Sequence, residues 1–195
     1  GFRDFTVLTY LYNTGARSQE AANTQISWLN LKEQTVSITG KGNKVRLVPL
    51  WATTVKAIET YLKDYRRKPK PQAQDSLFLN QRGESLTRFG VRRIVQKYLR
   101  YANSHCESLR SKRLSTHSLR HTTAMHLLES GVELNVIKAW LGHASIDSTS
   151  RYLEADFRSK KKALEKFAPP IYVASSLEQS ASASTDQVLD WLNDL

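Results

Sequence analysis

The residues best suited to chemistry lie in the stretch Arg113–Tyr152, RLSTHSLRHTTAMHLLESGVELNVIKAWLGHASIDSTSRY, which holds four of the chain's five histidines. Arg120 follows His117 by three residues, so both side chains project from nearly the same face of a helix, about 5–6 Å apart at Cβ. His143 and Tyr152 come later in the stretch. Two imidazoles, a guanidinium and a phenol in one pocket could bind a phosphodiester, activate a nucleophile and move protons.

Such a site also needs a second cation for the phosphate and an acid for the leaving alkoxide. Arg17, in a Thr-Gly-Ala-Arg turn at the start of a short helix, is the candidate for the cation. Lys41, at the tip of a predicted β-hairpin, is the candidate for the acid, and Lys44 on the same hairpin competes for that role. Glu20 is either an acid favoured by the helix dipole or a buried hydrogen-bonding partner of Arg17, and we favour the second interpretation.

The same histidines also suggest a metal site. His117 and His121 have the i, i+4 spacing of zinc ligands, and His143 could be a third ligand of a zinc-dependent hydrolase. Arg120 is an unfavourable neighbour for a metal cation, and no carboxylate at motif spacing completes the ligand set. These two features disfavour zinc without closing that alternative, and we favour a site with no metal and no cofactor. The single cysteine, Cys106, excludes an internal disulfide or a multi-cysteine metal site and favours a reducing compartment.

Hydrophobic periodicity predicts the elements that must position these groups. Period-two runs at 35–39 and 44–48 flank Gly-Lys-Gly-Asn and indicate a β-hairpin. A short strand is predicted at 76–79. The fold class is therefore mainly α with a small antiparallel β-sheet (α+β). Helices are predicted at about 4–13, 19–24, 52–67, 88–104, 117–130 and 134–141, with one more carrying Tyr152 and another starting near Asp156.

The charge distribution predicts a polyanionic partner. All 29 Lys and Arg residues lie within residues 1–166 together with 14 of the 18 acids, so this part carries a net +15 and the remainder −4. A basic body is typical of nucleic-acid binding, with an acidic membrane surface as the alternative. No apolar run approaches the roughly 20 residues of a membrane span. The side chains expected along a DNA backbone are Lys44, Arg82, Arg88, Arg92, Arg93, Lys97, Arg100, Arg110, Lys112 and Arg113.

The last 26 residues differ from the rest in composition. A Ser/Ala-rich linker precedes residues 186–195, which have the pattern of a short amphipathic helix. We predict one domain at 1–169 and a tail at 170–195 whose helix packs on its own domain or on a neighbouring subunit. The long linker favours exchange between subunits, and we hypothesise that the tail tunes assembly and the exposure of Tyr152.

Four segments carry a family resemblance when they are taken in order. TGARSQE resembles the first arginine box of the tyrosine recombinases, also called the phage integrase family, and GKGNKVRLVPL resembles the hairpin lysine segment of its Xer-type members. THSLRHTTAMHLL resembles the His-x-x-Arg box, and WLGHASIDSTSRY resembles the Leu-Gly-His box with its tyrosine. The resemblance covers about residues 5–167 and the catalytic domain alone. We expect the family's N-terminal DNA-clamping domain to be absent from these residues.

The resemblance implies a mechanism of DNA strand breaking and rejoining without metal or ATP. A tyrosine attacks the scissile phosphate and becomes linked to the 3′ phosphate, while two arginines hold the non-bridging oxygens. The hairpin lysine protonates the leaving 5′ oxygen, the first histidine assists proton transfer, and the second hydrogen-bonds the phosphate. The matching residues are, in that order of roles, Tyr152, Arg17 with Arg120, Lys41, His117 and His143, with Glu20 as support.

The resemblance further implies double-stranded DNA as the partner and a homo-oligomer, a tetramer on DNA that is weakly associated or monomeric without it. It also implies a prokaryotic cytoplasmic protein at the nucleoid. A non-catalytic DNA-binding module of the same fold is the first alternative and predicts binding without a covalent product. The zinc-dependent hydrolase is the second. A type IB topoisomerase shares the chemistry but would relax supercoils without sequence preference.

Overall fold

The computed structural model describes residues 1–109 and 114–142, and these residues form a mainly helical structure with one three-stranded antiparallel sheet. This agrees with the predicted fold class. The helix predicted at 52–67 is α-helical only as far as Thr60. A π-helical turn follows it at Tyr61–Tyr65. The α-helices and β-strands in the described residues are α1 (Phe2–Thr14), α2 (Ser18–Asn23), β1 (Leu29–Asn30), β2 (Thr35–Thr39), β3 (Val45–Pro49), α3 (Ala52–Thr60), α4 (Arg88–His105), α5 (Thr116–Glu129) and α6 (Leu134–Leu141).

The predicted hairpin is present as β2 and β3, and its inward face carries a charge. Ile38 pairs with Arg46 and Val36 with Val48 in the antiparallel register. Because side chains alternate along a strand, Arg46 lies on the same face as the fully buried Val48. The apolar residues next to Arg46 therefore point outward, and Val45 is 66% exposed.

Helix α1 contacts α3, α4 and α5 and contributes buried side chains to the main core. A smaller apolar cluster joins α5 to α6 through Ala124, Leu128, Ile137 and Leu141. Trp140 packs against both clusters, so the α5–α6 pair is held on the main core by apolar contact. Helix α5, which carries His117 and Arg120, is therefore held together with α6 against the main core.

Polar side chains of α5 and α6 satisfy backbone carbonyls in the last turn of α1, which has no helical partner for them. Thr123 Oγ1 donates to the Tyr12 carbonyl at 2.7 Å, and Trp140 Nε1 donates to the Asn13 carbonyl at 3.1 Å. Helix α1 then ends at Thr14 and is capped by Gly15, which has a left-handed conformation with φ of 60°. These contacts fix the turn before α2 against α5.

The predicted strand at 76–79 is wrong. Leu77, Phe78 and Leu79 are buried, which explains the strand-like apolar run, but the segment forms only isolated bridges. Its backbone hydrogen bonds go to separate segments, because Leu77 N donates to the Thr24 carbonyl and Phe78 O accepts from Leu86 N. A strand needs successive bridges to one neighbour, and within the described ranges this segment forms a single bridge with each of two neighbours.

No helix in the described ranges is both long enough and apolar enough to cross a bilayer. Several predictions lie outside the described residues. They are the helix that carries Tyr152, the helix near Asp156, and the division between residues 169 and 170 with its C-terminal amphipathic helix.

Candidate active site

Arg17 is the residue that immediately precedes α2, and the Glu20 carboxylate holds both its backbone and its side chain. Its backbone N–H donates to Glu20 Oε2 at 2.9 Å, and its Nη1 donates to Glu20 Oε1 at 2.8 Å. The acid three residues into a helix often reaches back to the preceding N–H in this way. The Glu20 side chain is 5% exposed, whereas that of Arg17 is 39% exposed. The guanidinium is therefore anchored and still accessible.

Glu20 also accepts from Arg46 of β3, whose Nη2 lies 2.7 Å from Oε2. Burial by itself raises the pKa of the Glu20 carboxyl, but the hydrogen bonds from Arg46 and Arg17 outweigh it and hold the pKa below its ordinary value. The carboxylate thus stays ionised and serves both arginines at once.

Helix α5 presents His117 and Arg120 one turn apart, as their spacing predicts. The helix begins after Ser115, whose Oγ accepts from the His117 backbone N–H at 3.2 Å. Ser118 Oγ in turn accepts from the Ser115 N–H at 3.0 Å. This reciprocal cap fixes where α5 starts, and it leaves the His117 side chain exposed in its first turn.

Arg120 is 5% exposed and is held by two backbone carbonyls. Its Nη1 donates to the Gly15 carbonyl and its Nη2 to the Leu141 carbonyl, each at 2.6 Å. Hydrogen bonds to a charged donor are among the stronger ones in proteins. They orient the plane of the guanidinium and connect α5 both to the turn after α1 and to the end of α6.

Arg17, His117 and Arg120 line one cavity of about 230 Å³. The structure therefore brings together three of the four predicted catalytic residues that fall in its described part, and Lys41 is the one left out. It adds Arg88 and Arg92 from α4, which the sequence predicted only as DNA-backbone contacts. No acid is among the described lining residues, so the cavity is strongly positive and suited to an anion. Its described lining is Ala16, Arg17, Ser18, Gln19, Arg88, Arg92, Thr116, His117 and Arg120.

The hairpin lysines stand apart from this lining. Lys41 and Lys44 are exposed at the turn between β2 and β3, and neither belongs to the described wall of the cavity. The base of the turn is nevertheless close to the site, because a Cβ added at Gly40 would lie 3.4 Å from both Glu20 Oε1 and Arg46 Nη1. Lys41 directly follows this residue.

The predicted DNA-backbone arginines in the described residues are all exposed. Arg92 and Arg93 also line a larger neighbouring cavity of about 700 Å³, and Arg82 with Arg93 lines a third of about 680 Å³. Arg88 lies 4.6 Å from the centroid of the Phe89 ring, in cation–π geometry. Basic side chains therefore continue outward from the arginine cavity. Arg113, like Arg110 and Lys112, lies outside the described residues.

Within residues 1–109 and 114–142, no three His, Cys, Asp or Glu side chains cluster closely enough to hold a metal ion. His121 is exposed, and His126 Nδ1 lies 2.5 Å from the Tyr12 hydroxyl. His143, the third ligand of the zinc hypothesis, lies outside the described residues, as does Tyr152.

Sequence reasoning missed Arg46. Its side chain is 10% exposed, bonds Glu20, and donates from Nε to the Trp140 carbonyl at 2.9 Å. A signal was available, because the period of two from Val48 places Arg46 on the inward face of β3. A charge at such a position needs a partner, and Glu20 is the buried acid that supplies it.

The sequence has clear relatives among known proteins. The family model described as "Phage integrase family" matches residues 1–159. Tyrosine recombinase XerD of Staphylococcus epidermidis is 37% identical over 170 residues, which are 87% of this chain and 56% of the relative. Tyrosine recombinase XerD of Chlamydia pneumoniae is 40% identical over 154 residues, 77% of this chain and 48% of the relative. The chain spans about half the length of the curated relatives it matches.

Solved structures agree with the sequence relatives. The crystal structure of XerA recombinase superposes with a TM-score of 0.67 and 26% identity, over 86% of this chain and 59% of that one. The crystal structure of the XerH site-specific recombinase bound to palindromic difH substrate, a post-cleavage complex, superposes with a TM-score of 0.68 and 29% identity. The match covers 86% of this chain and 46% of that one. With the family model covering most of the sequence and the predicted arginine and histidine boxes meeting at one cavity, the chain belongs to the phage integrase family of tyrosine recombinases.

Proposed function

We propose that this chain is the catalytic part of a site-specific DNA recombinase that cleaves and rejoins strands through a covalent 3′-phosphotyrosine. One observation carries the proposal. Arg17 and Arg120 come from distant parts of the sequence, yet both line one small cavity with His117, and each guanidinium is oriented by fixed acceptors. Preorganised cations of this kind stabilise charge that develops on a phosphate in the transition state.

In the proposed reaction, Tyr152 Oη attacks the scissile phosphorus and the bond from phosphorus to the 5′ oxygen breaks. The phenol proton passes to His117, and the 5′ oxygen takes a proton from Lys41. Arg17 and Arg120 hold the two non-bridging oxygens, because a planar fork of N–H donors suits a phosphate. One phosphate ester replaces another, so a second 5′ hydroxyl can reverse the step without ATP or a metal.

The position of His143 in the sequence supports its proposed role as a donor to the phosphate. It comes two residues after Leu141, whose carbonyl accepts from Arg120. The left-handed Gly142 ends α6 between them, with φ of 66°. The end of α6 that leads to His143 is thus bound to one of the two proposed phosphate-binding arginines.

Double-stranded DNA is the proposed substrate. The similarity to XerH, whose structure holds a difH substrate, supports this, as do the exposed arginines around the cavity. We further propose a homo-oligomer, a tetramer on DNA, in the prokaryotic cytoplasm at the nucleoid. The proposed domain division is 1–169 for catalysis and 170–195 for a linker and helix that pack on a neighbouring subunit.

A nicked suicide duplex tests the proposal. The duplex library carries a randomised central segment and a nick that lets the short strand bearing the freed 5′ hydroxyl diffuse away, so that the covalent species accumulates. We expect a protein–DNA adduct that resists denaturant and is destroyed by protease. Tyr152→Phe should abolish it, whereas Tyr101→Phe, at a residue 66% exposed on α4, should leave it unchanged. Sequencing the trapped DNA then supplies a defined substrate.

Each alternative predicts a different result. An adduct that survives Tyr152→Phe refutes the nucleophile assignment. DNA binding without any adduct on the selected sequences favours the non-catalytic module. Activity that a chelator removes, with stoichiometric zinc in the protein, favours the hydrolase, and relaxation of supercoiled DNA without sequence preference favours a type IB topoisomerase.

A further inference from the structure

A closed path of contacts joins Arg17 and Arg120, two of the four arginines that line the cavity, by way of Arg46. Arg17 bonds Glu20 at 2.8 Å, and Glu20 bonds Arg46 at 2.7 Å. Arg46 Nε bonds the Trp140 carbonyl at 2.9 Å, and the next carbonyl along the chain, that of Leu141, accepts from Arg120. Arg120 returns to the Gly15 carbonyl, two residues before Arg17. The path thus links the turn before α2 with β3, α6 and α5.

Arginine is suited to this position because two of its donors act on separate acceptors. Nε and Nη2 lie on the same edge of the planar guanidinium, and here they reach a carboxylate and a backbone carbonyl. A lysine ammonium carries the same charge without this fork. The 10% exposure of the side chain also keeps water from replacing either acceptor.

Arg46 also lies between two backbone turns that lead to proposed catalytic residues. A Cβ added at Gly40, just before Lys41, would lie 3.4 Å from Arg46 Nη1. A Cβ added at Gly142, just before His143, would lie 3.1 Å from Arg46 Cδ. Both turns therefore pack against this one side chain.

We infer that Arg46 is a positioning residue for strand cleavage, which orients Arg17 through Glu20 and holds the end of α6 that binds Arg120. The inference rests on the proposed function, since its consequence is the alignment of both arginines on the scissile phosphate. Arg46 itself touches no reacting atom in this scheme. Its loss should act on the phosphate-binding arginines rather than on binding of DNA as a whole.

The first experiment compares Arg46→Lys and Arg46→Gln on two suicide duplexes made from the selected sequence. One has an ordinary scissile phosphate, and the other has a methylphosphonate there, in which a methyl group replaces one non-bridging oxygen and removes the charge. On the ordinary duplex we expect cleavage to fall on the order of 10²-fold, because misplaced groups lose that much. On the methylphosphonate the loss should largely disappear, as it should for Arg17→Ala.

Arg66→Gln is the matched control. Arg66 is also partly buried and bonds the carbonyls of Ala73, Gln74 and Ser76, but it lies outside the closed path. Arg66→Gln should lower the stability of the protein and change cleavage of both duplexes by the same factor. An equal loss on both duplexes for the Arg46 variants, or no loss on either, overturns the inference.

A second measurement needs no reaction. The rotation of the Arg17 guanidinium, whose Nη1 bonds Glu20, is followed by NMR as exchange between its Nη signals in ¹⁵N-arginine-labelled protein, with the signals assigned by their absence in Arg17→Lys. Arg46→Gln should speed this exchange, whereas Arg66→Gln should not. If the unsubstituted chain forms no adduct, the proposed function fails, and unchanged Arg17 exchange in Arg46→Gln then separately overturns the positioning role.

Discussion

Arg120 donates from Nη1 to the Gly15 carbonyl at 2.6 Å, so this cavity arginine is bonded to the turn that leads to a second one, Arg17. Gly15 is itself pressed against the end of α6. A Cβ added there would lie 2.3 Å from Leu141 Cδ2, and Leu141 is the residue whose carbonyl also binds Arg120. The turn, the guanidinium and α6 therefore form one packed unit.

Gly15→Ala should disrupt this unit. A left-handed residue with a side chain costs roughly 1–2 kcal/mol, and forcing Leu141 to move in a packed core adds roughly as much again. We expect a loss of about 3 kcal/mol in the free energy of unfolding, measured by urea denaturation, together with reduced cleavage. Gly131→Ala is the matched control, since it has φ of 83° but no atom within 4 Å of the added Cβ. An equal loss in both variants would contradict the packing argument.

The two arginines should differ in what they contribute to stability. Arg120→Lys leaves the carbonyls of Gly15 and Leu141 without their fork of donors, and an unpaired buried polar group costs about 1–3 kcal/mol. Arg17→Lys replaces a side chain that is 39% exposed and should change stability much less. Both variants should lose cleavage of the suicide duplex. Thermal unfolding of the pair checks the contrast, and similar shifts in Tm would count against it.

Glu20→Gln should destabilise the protein in a pH-dependent way. The folded pKa of Glu20 lies below its ordinary value of 4.5, so its contribution is present above that pH and is lost as pH falls through the lowered pKa. Near neutral pH we expect a loss of about 3 kcal/mol, because the buried arginine partner is left uncompensated. The difference from the unsubstituted chain should narrow below pH 4.5. Urea denaturation at a series of pH values measures it.

Glu84→Gln is the control for this pH series. Glu84 forms an exposed ion pair with Lys70 at 2.5 Å, and exposed pairs of this kind contribute little to stability. Glu84→Gln should leave the free energy of unfolding almost unchanged at neutral pH. If the loss of stability in Glu20→Gln were the same at every pH, the ionisation of Glu20 would not be its cause.

Lys41 and Lys44 can be separated by the chemistry of the leaving group. Lys41→Ala should slow cleavage by about 10²–10⁴-fold if Lys41 is the general acid. Replacing the 5′ bridging oxygen of the duplex by sulfur should restore the rate, because a thiolate leaves without being protonated. Cleavage by Lys44→Ala should be slowed less, and the bridging sulfur should not increase its rate. The reverse pattern would assign the acid to Lys44.

Local patterns were enough to predict most elements and the residues that could do the chemistry. The spacing of His117 and Arg120 placed them on one helical face, and the Gly-rich turn predicted the hairpin, because such signals depend on neighbours in the sequence. Residues 77–79 misled the same reasoning, since burial produced an apolar run where no strand ladder exists. Phosphate-binding roles for Arg17 and Arg120 were likewise indicated by the motifs alone.

Only the tertiary structure decided how those residues are held. Neither the carbonyl partners of Arg120 nor the bridge of Arg46 from Glu20 to Trp140 follows from any local pattern, because each joins segments that are distant in sequence. The sequence by itself predicted which side chains could do the chemistry, and it determined most of the short elements that carry them. Packing α5 and α6 onto the end of α1 decided that two arginines share one cavity and one set of supports.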